Sequence, residues 1–519
     1  MDPLARDAMG VGTLKEPKAA EKAAVEAPVE KPKGPVQVID SYDSVEIVRS
    51  AEEIIPTYNV LIPELKKEDW KKIKKFKEVI LKQSTFDPAS ILDPEERKKE
   101  FSEEAKKIVQ AADPSVSKDK LEIYTDMLAK SMIGFGLLDP LLADDQLEEV
   151  MVIGEKQRVY VAHRKHGMCS TNILFEDDEE MVNIIDRMAR EVGRKIDTLN
   201  PLLDARLRDG SRVNATIRPI TPGGATLTIR KFKADPLTII DLINYSTFSV
   251  DFAAWLWVAV DGLGVKPVNA IVAGGTGSGK TTTLNSLATF IPERDRVITI
   301  EDTIELQLRP HKHWIQMETR PPNTEGIGKV DMNDCVINTL RMRPDRIIVG
   351  EVRGPEAKTM FVAMNTGHDG CLGTVHSNDA KETITRLTNP PMEVPLIMMP
   401  ALDLIVMQNK FKHATKGNIR RITEVAEVAG MEEDQVLMNY TFRYNSKTDQ
   451  LEDTGTPSRL MQELAERAGV AGEEMNMKIA RRAMVIKWLV DNKMRSLTEV
   501  KNAIMEFNRD QDEFLSRIT

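Results

Sequence analysis

The spacing of apolar residues changes along this chain, and each change predicts a different kind of element. From about residue 238 onward, short uninterrupted apolar runs alternate with amphipathic stretches. The runs are Val268–Ala273 (VNAIVA), Arg296–Glu301, Asp345–Gly350 and Gly370–His376. Each reads as a strand buried on both faces, as in a parallel sheet. Strands alternating with helices predict an α/β layer structure. Residues 118–232 read as mixed. Lys120–Ile133 has helical spacing and Arg158–Ala162 (RVYVA) is strand-like. Leu203–Phe232 reads as strands joined by turns at Asp209-Gly210 and Pro222-Gly223-Gly224. Residues 40–112 read as helical. Within Glu64–Gln83, Trp70, Ile73, Phe76 and Ile80 recur at helical intervals. From 456 to the end the chain reads as helices with charged faces, such as Met477–Leu489.

These patterns divide the chain into an Ala/Lys/Glu/Pro-rich tail over 1–36, expected to be disordered, and a helical region over 37–117. A mixed α/β domain over 118–232, a short linker at 233–237 and an α/β domain over 238–519 follow. A length of 519 residues fits about three domains at roughly 150 residues each. No fixed-period repeat is present.

Composition narrows the class. Hydrophobic residues at 41% and charged residues at 29% fit a packed, water-soluble protein. A net charge of −10 gives no global basic excess of the kind that marks nucleic-acid binding. Cys169, Cys335 and Cys371 lie far apart, without metal-ligand spacing, and are expected as small buried apolar groups. No leader-like apolar segment opens the chain, and no stretch approaches the roughly 20 apolar residues of a membrane span. The nearest, Leu396–Met407, is interrupted by Pro400 and Asp403. Eight lysines between Lys66 and Lys82 predict a solvated helix face, with contact to anionic lipid or an acidic partner loop as the functional alternative.

The chemistry is concentrated in GGTGSGKT, Gly274–Thr281, which fits Gly-x-x-x-x-Gly-Lys-Thr. Backbone amides on such a turn face one hollow and cradle phosphates, and glycine lets the backbone approach without a Cβ clash. Gly275, Thr276, Gly277, Ser278, Gly279, Lys280, Thr281 and Thr282 are therefore the candidate phosphate-binding residues. Lys280 reaches the β- and γ-phosphates, and the Thr281 hydroxyl holds Mg²⁺. The preceding apolar run and the following TTTLNSLATF supply the strand and helix that the motif requires.

Three further motifs end predicted strands, where ligands of a parallel sheet bind. VITIEDTIEL ends in Glu301 and Asp302, with Glu305 beyond; RIIVGEVR ends in Glu351; HDGCLGTVH ends in His376. Splitting a terminal phosphate needs a metal to neutralise charge and a carboxylate to orient water. Glu301 and Glu351 are the two candidates for those roles. His376 is placed near the terminal phosphate. His311 and His313, in HKH, read as surface residues.

In this order the four segments resemble the secretion-superfamily ATPases, which include the type II secretion, type IV pilus, conjugation and archaellum motor ATPases. They match that family's Walker A motif, Asp box (Glu301–Glu305), atypical Walker B (Ile347–Glu351) and His box (His368–His376). The resemblance runs over roughly residues 120–415 and includes FGLLDPLLADDQLEEVMVIG and TLTIRKF. RPPNTEGIGKVDMNDC and NPPMEVPLIMMPALDLIVMQ are closest to the archaellum motor ATPase, and the four-cysteine zinc element of some type II secretion relatives is lacking. The resemblance implies a RecA-like P-loop domain after a mixed α/β domain, with ATP and Mg²⁺ as substrate and cofactor. It implies a hexameric ring in the cytoplasm, peripheral to the membrane. A polytopic membrane platform protein and other archaellum motor components would be its partners. It also implies that arginines of the preceding domain reach the nucleotide: Arg230, then Arg218 and Arg212. Pilus assembly or protein export is the nearest alternative. A nucleic-acid translocase is disfavoured by the charge and by the lack of an aromatic-plus-basic strand surface, so no nucleic acid is expected. A nucleotide switch without turnover is disfavoured by the intact Glu301 and Glu351.

Overall fold

A computed structural model describes residues 36–61, 67–84, 86, 91, 93–232, 236–309, 311–322, 326–413 and 417–518. The expected tail over 1–36 lies almost wholly outside them, as does much of the expected linker. The chain divides into two compact units, Met1–Lys231 and Phe232–Thr519.

The first unit opens with strands, not helices. β1 (Val36–Tyr42), β2 (Val45–Ser50) and β3 (Thr57–Val60) precede the first helix. This corrects the helical reading of residues 37–60. The segment is dense in β-branched residues and alternates, burying Val45, Ile47, Tyr58 and Val60; such residues suit a pleated surface better than a helix. Helices α1 (Lys67–Gln83), α2 (Pro94–Ala112) and α3 (Lys118–Met132) follow. Ile73, Phe76 and Ile80 of α1 pack against Phe101, Ala105 and Val109 of α2 and Leu121, Tyr124 and Leu128 of α3, with Trp70 half-buried beside them. Lys71, Lys72, Lys74 and Lys75 face solvent, and Lys72 pairs with Asp113 at 2.9 Å.

The remainder of this unit is α4 (Asp139–Ala143), β4 (Leu147–Val152), β5 (Arg158–His163), β6 (Gly167–Leu174), α5 (Asp178–Glu191), β7 (Leu202–Arg206), β8 (Arg212–Thr216) and β9 (Thr226–Arg230). Nine strands form one sheet in the order β1-β2-β3-β6-β5-β4-β9-β8-β7. Met181, Ile184, Ile185 and Met188 of α5 share a core with Val150, Val161 and Ile229 of the sheet. The β7–β8 and β8–β9 connections contain the expected turns, with Gly210 and Gly224 at φ 93° and 117°.

The second unit begins with α6 (Ile239–Asn244) and α7 (Val250–Asp261). Next come β10 (Ala270–Ala273), α8 (Lys280–Ala288), β11 (Val297–Glu301), β12 (Trp314–Glu318), α9 (Met332–Thr339), β13 (Arg346–Val349), α10 (Glu356–Asn365), β14 (Leu372–Val375) and α11 (Ala380–Thr388). β15 (Leu404–His413), β16 (Gly417–Glu432), β17 (Gln435–Asn445) and β18 (Gln450–Asp453) form a meander. Four helices close the unit: α12 (Arg459–Ala468), α13 (Gly472–Asp491), α14 (Leu497–Arg509) and α15 (Gln511–Ile518).

Its sheet runs β12-β11-β13-β14-β10-β15-β16-β17-β18. Pairing is parallel from β12 to β15 and antiparallel beyond. The apolar runs are continuous because both faces are covered. Val272, Ile348, Leu372, Leu404 and Val406 turn to the side of α7, α8 and the C-terminal helices. Ile271, Ile298, Ile347, Val349 and Ile405 turn to the side of α9 and α10. Among the described residues, no helix is long and apolar enough to cross a membrane.

Three sequence expectations are corrected here. The strand-and-helix alternation expected from 238 onward does not include the meander over 404–453, where the apolar Ile419, Ile422, Val425 and Val428 recur at every third position instead of every second. The aromatic-plus-basic strand surface held to be lacking exists in part on it: Phe411 stacks on Tyr444 with ring centres 5.7 Å apart, and the Arg443 guanidinium lies 4.3 Å from the centre of the Tyr440 ring. His311 is buried, not at the surface. It meets the Asp295 carbonyl oxygen at 2.7 Å and the Glu293 carboxylate at 3.4 Å, and burial lowers its pKa. His313 is exposed, as expected.

Candidate active site

The loop joining β10 to α8 spans Gly274–Gly279, and α8 starts at Lys280. The first glycine is fixed by crowding: a Cβ on Gly274 would lie 2.0 Å from the Gln408 carbonyl oxygen. Gly277 and Gly279 adopt φ of 69° and 98°, a region in which an L side chain is strained. Ser278 is buried, and its hydroxyl has no hydrogen-bond partner among the described residues. Thr281 and Thr282 are half-buried in the first turn of α8.

Lys280 is held at the carboxyl ends of the strands. Its Nζ donates to the Gly275 carbonyl at 3.0 Å and lies 3.3 Å from His376 Nε2. Burial lowers its pKa, with Glu351 pulling the other way. The same His376 nitrogen lies 3.3 Å from Glu351 Oε1. Burial, and then the neighbouring Lys280, lower the pKa of His376, with Glu351 pulling the other way. A single Nε2 thus faces a cation and a carboxylate, and its proton selects which it bonds.

Glu351 follows β13. Burial by itself would raise its pKa, but Arg353 at 2.5 Å, His376 and Lys280 hold it below the usual carboxylate range. Arg353 also reaches Asp302 at 3.8 Å. Glu356, buried, fixes the connecting turn by accepting from the Arg353 and Gly354 amides at 2.6 and 2.7 Å.

Glu301 is 3% exposed at the end of β11. Its Oε2 accepts from the amides of Glu305 and Leu306 at 2.7 and 3.0 Å. One carboxylate oxygen therefore shapes the loop after β11. The sequence gives no sign of that second duty.

Lys280, Glu351 and His376 come together, with Glu301 at the end of β11, the strand beside β13. His368 does not join them. It precedes β14, at the opposite end of that strand from His376, and its buried Nδ1 has no hydrogen-bond partner among the described residues. Sequence reasoning missed Arg353, although it stands two residues after Glu351. It also missed Gln408 and Arg420, which had no motif to announce them. Cys169, Cys335 and Cys371 are buried and unpaired, as expected.

The three candidate arginines belong to the first unit. Arg230 ends β9, exposed, opposite Glu149 and Arg212. Arg212 makes a two-pronged contact with Asp204 at 3.2 and 3.0 Å. Arg218 Nε lies 3.8 Å from Asp178.

A glycine loop between a central parallel strand and a helix, with acidic residues ending neighbouring strands, defines a P-loop nucleoside-triphosphatase with a RecA-like order of strands. Residues 133–507 match the family described as type II/IV secretion system protein, and the chain belongs to that family as an ATP-hydrolysing member. An uncharacterized protein of Methanocaldococcus jannaschii is 36% identical over 572 residues, covering 76% of this chain and 79% of the relative. A putative conjugal transfer protein of Mycobacterium tuberculosis is 34% identical over 267 residues, covering 50% of this chain and 74% of the relative. Among solved structures, the VirB11 ATPase of the Brucella suis type IV secretion system shares 27% identity and covers 56% of this chain and 91% of its own, with a TM-score of 0.28.

Proposed function

We propose that the chain is a magnesium-dependent motor ATPase that works as a hexameric ring and drives archaellum assembly and rotation through a polytopic membrane platform protein. The observation that carries the catalytic part is the meeting of Lys280, Glu351 and His376 at the strand ends beside the glycine loop. The loop amides and Lys280 hold the phosphates, and Lys280 compensates the charge that builds on the terminal one. Glu301 orients the attacking water with the oxygen that does not hold the 305–306 amides. Glu351, kept ionised by Arg353, supports the water or the metal.

The donor set fits a hard cation held by one hydroxyl and by phosphate oxygens. Thr281 is half-buried, and no hydrogen bond among the described residues engages its hydroxyl. Thr281 and Glu351 would hold Mg²⁺, which would neutralise phosphate charge. Arg230, with Arg218 and Arg212, would couple the first unit to the nucleotide state. Affinity that differs between arrangements of the units is what moves a partner.

The archaellum assignment rests on the resemblance of residues 320–379 and 389–408 and of the long region before residue 115. A second reading, conjugation or protein secretion, is favoured by the names of relatives such as the type IV secretion system protein PtlH of Bordetella pertussis, 33% identical over 265 residues. Either role places the protein at the cytoplasmic face of a membrane. The exposed Lys71, Lys74 and Lys75 offer an electrostatic contact there, worth about 1 kcal/mol per lysine at an anionic surface. One ATPase assay with anionic vesicles, platform loops or single-stranded DNA added in parallel tests the reading. Stimulation by vesicles or platform, weakening with salt, is expected. Stimulation by DNA alone would replace the motor with a translocase. Light scattering with a non-hydrolysable ATP analogue should show closed oligomers; a monomer under every nucleotide condition would remove the ring.

A further inference from the structure

The phosphate loop leans on two residues of the meander. β15 accompanies β10 in parallel register up to Ala273 opposite Met407. The next residue, Gln408, therefore stands where the loop begins. The register between β15 and β16 shifts just there: Met407 faces Glu424, Gln408 faces Ile422, and Lys410 faces Arg420. Side chains alternate along a strand, and residues directly opposite share a face. Gln408, Lys410 and Arg420 thus lie on one face of the β15–β16 ribbon.

The contacts with the loop are close. A Cβ on Gly274 would lie 2.0 Å from the Gln408 carbonyl oxygen, and one on Gly279 would lie 3.0 Å from Gln408 Nε2 and 3.4 Å from Arg420 Cδ. Thr283 Oγ1 donates to Gln408 Oε1 at 2.7 Å, tying the residue to α8. Arg420 Nε donates to the Gly277 carbonyl at 3.0 Å, near the tip of the loop. Arg420 is otherwise exposed, and no hydrogen bond among the described residues engages its two terminal nitrogens. Its neighbour Arg421 differs: it is buried and doubly bonded to Asp449 at 2.8 Å.

The order of strands gives the loop two sides. Glu351 and His376 follow β13 and β14, and Glu301 ends β11, all on one side of β10; β15 and β16 are on the other. The terminal phosphate belongs with the carboxylates. The α-phosphate and ribose of the same nucleotide then lie toward β15 and β16. We infer that Arg420 is a nucleotide-binding residue of the α-phosphate end, clipped to the loop through Nε and free to bond that phosphate through its terminal nitrogens. The geometry of a guanidinium suits this double duty, since it offers donors in a fixed fork. The inference rests on the reading that the Gly274–Thr281 loop binds ATP.

ATP and ADP share the α-phosphate, so both lose the same contact when Arg420 is removed. A charge-assisted hydrogen bond supports about a tenfold effect. Arg420→Ala should raise KM for ATP and Kd for ADP by that same factor, with kcat within about twofold, because the contact is equal in ground and transition states. Arg420→Lys should recover part of the loss, since it keeps the charge and lacks the clip. The residue is exposed, so the unfolding midpoint should not move. The assay is run on the full chain beside Lys280→Ala. If Arg420→Ala binds ATP and ADP like the wild type while Lys280→Ala does not, the inference is overturned and the loop reading stands. If Arg420→Ala weakens ATP and leaves ADP unchanged, Arg420 serves the terminal phosphate and the inference also falls. If Lys280→Ala itself binds both nucleotides normally, the loop reading fails and takes the inference with it.

Discussion

Gly350 lies against Glu301: a Cβ at position 350 would stand 2.8 Å from Glu301 Cγ and 3.5 Å from its carboxyl carbon. The contact follows from the sheet, because the Gly350 amide donates to the Ile300 carbonyl at 2.9 Å and brings the end of β13 beside the end of β11. Gly350→Ala therefore displaces a buried carboxylate that already holds two amides. A misplacement of about 1 Å at a reacting group costs up to about 10²-fold in rate. We expect Gly350→Ala to lower kcat by about ten- to a hundredfold with ATP affinity preserved, read by steady-state kinetics beside equilibrium binding. Loss of binding with kcat unchanged would show that Gly350 serves the phosphate loop instead.

The helical bundle of the first unit contains a charge that makes its own prediction. Asp69 is buried and accepts from Tyr124 Oη at 2.5 Å and from Lys120 Nζ at 2.7 Å. Tyr124→Phe leaves the ring packing in place and removes one donor from a buried carboxylate. A destabilisation of about 1–3 kcal/mol is expected in chemical denaturation. ATPase activity should be unchanged, because Tyr124 is absent from the catalytic set.

Lys501 gives a pH signature. It is 3% exposed and donates to the Thr289 and Ile291 carbonyls at 3.2 and 2.7 Å. Burial, outweighing Glu293 and Asp295, pushes its pKa from 10.5 down to about 8. A base with a depressed folded pKa is charged more fully in the unfolded chain. Its penalty is complete below pH 8 and disappears as pH rises through 10.5. Wild type should therefore gain stability relative to Lys501→Met, by on the order of 2 kcal/mol between about pH 7.5 and 9.5. A difference that does not vary with pH would contradict the shift.

What the sequence made legible follows from how local each signal is. The glycine loop and the strands ending in Glu301 and Glu351 announce themselves, because a both-faces-buried strand is a continuous apolar run. Residues 37–60 read as helical beside the long periodic segment Glu64–Gln83 because β2 and β3, at six and four residues, are too short to show their alternation clearly. His311 looked exposed because its partners, Glu293 and the Asp295 carbonyl, precede it by more than a dozen residues. Gln408 and Arg420 were invisible for a similar reason: each lies over a hundred residues from the loop it supports, and only strand register connects them. The loop-holding role of Glu301 is a matter of side-chain geometry, which a motif does not encode.

The most direct test of the account is Mg-ATP hydrolysis by wild type, Lys280→Ala, Glu301→Gln and Glu351→Gln, with nucleotide binding measured on the same samples. Lys280→Ala should abolish turnover, because the terminal phosphate loses its compensating charge. The two glutamine variants should bind ATP and lose rate by about 10²-fold or more, the usual size of a general-base effect. Wild-type hydrolysis by both glutamine variants would contradict the assignment of the strand-end carboxylates.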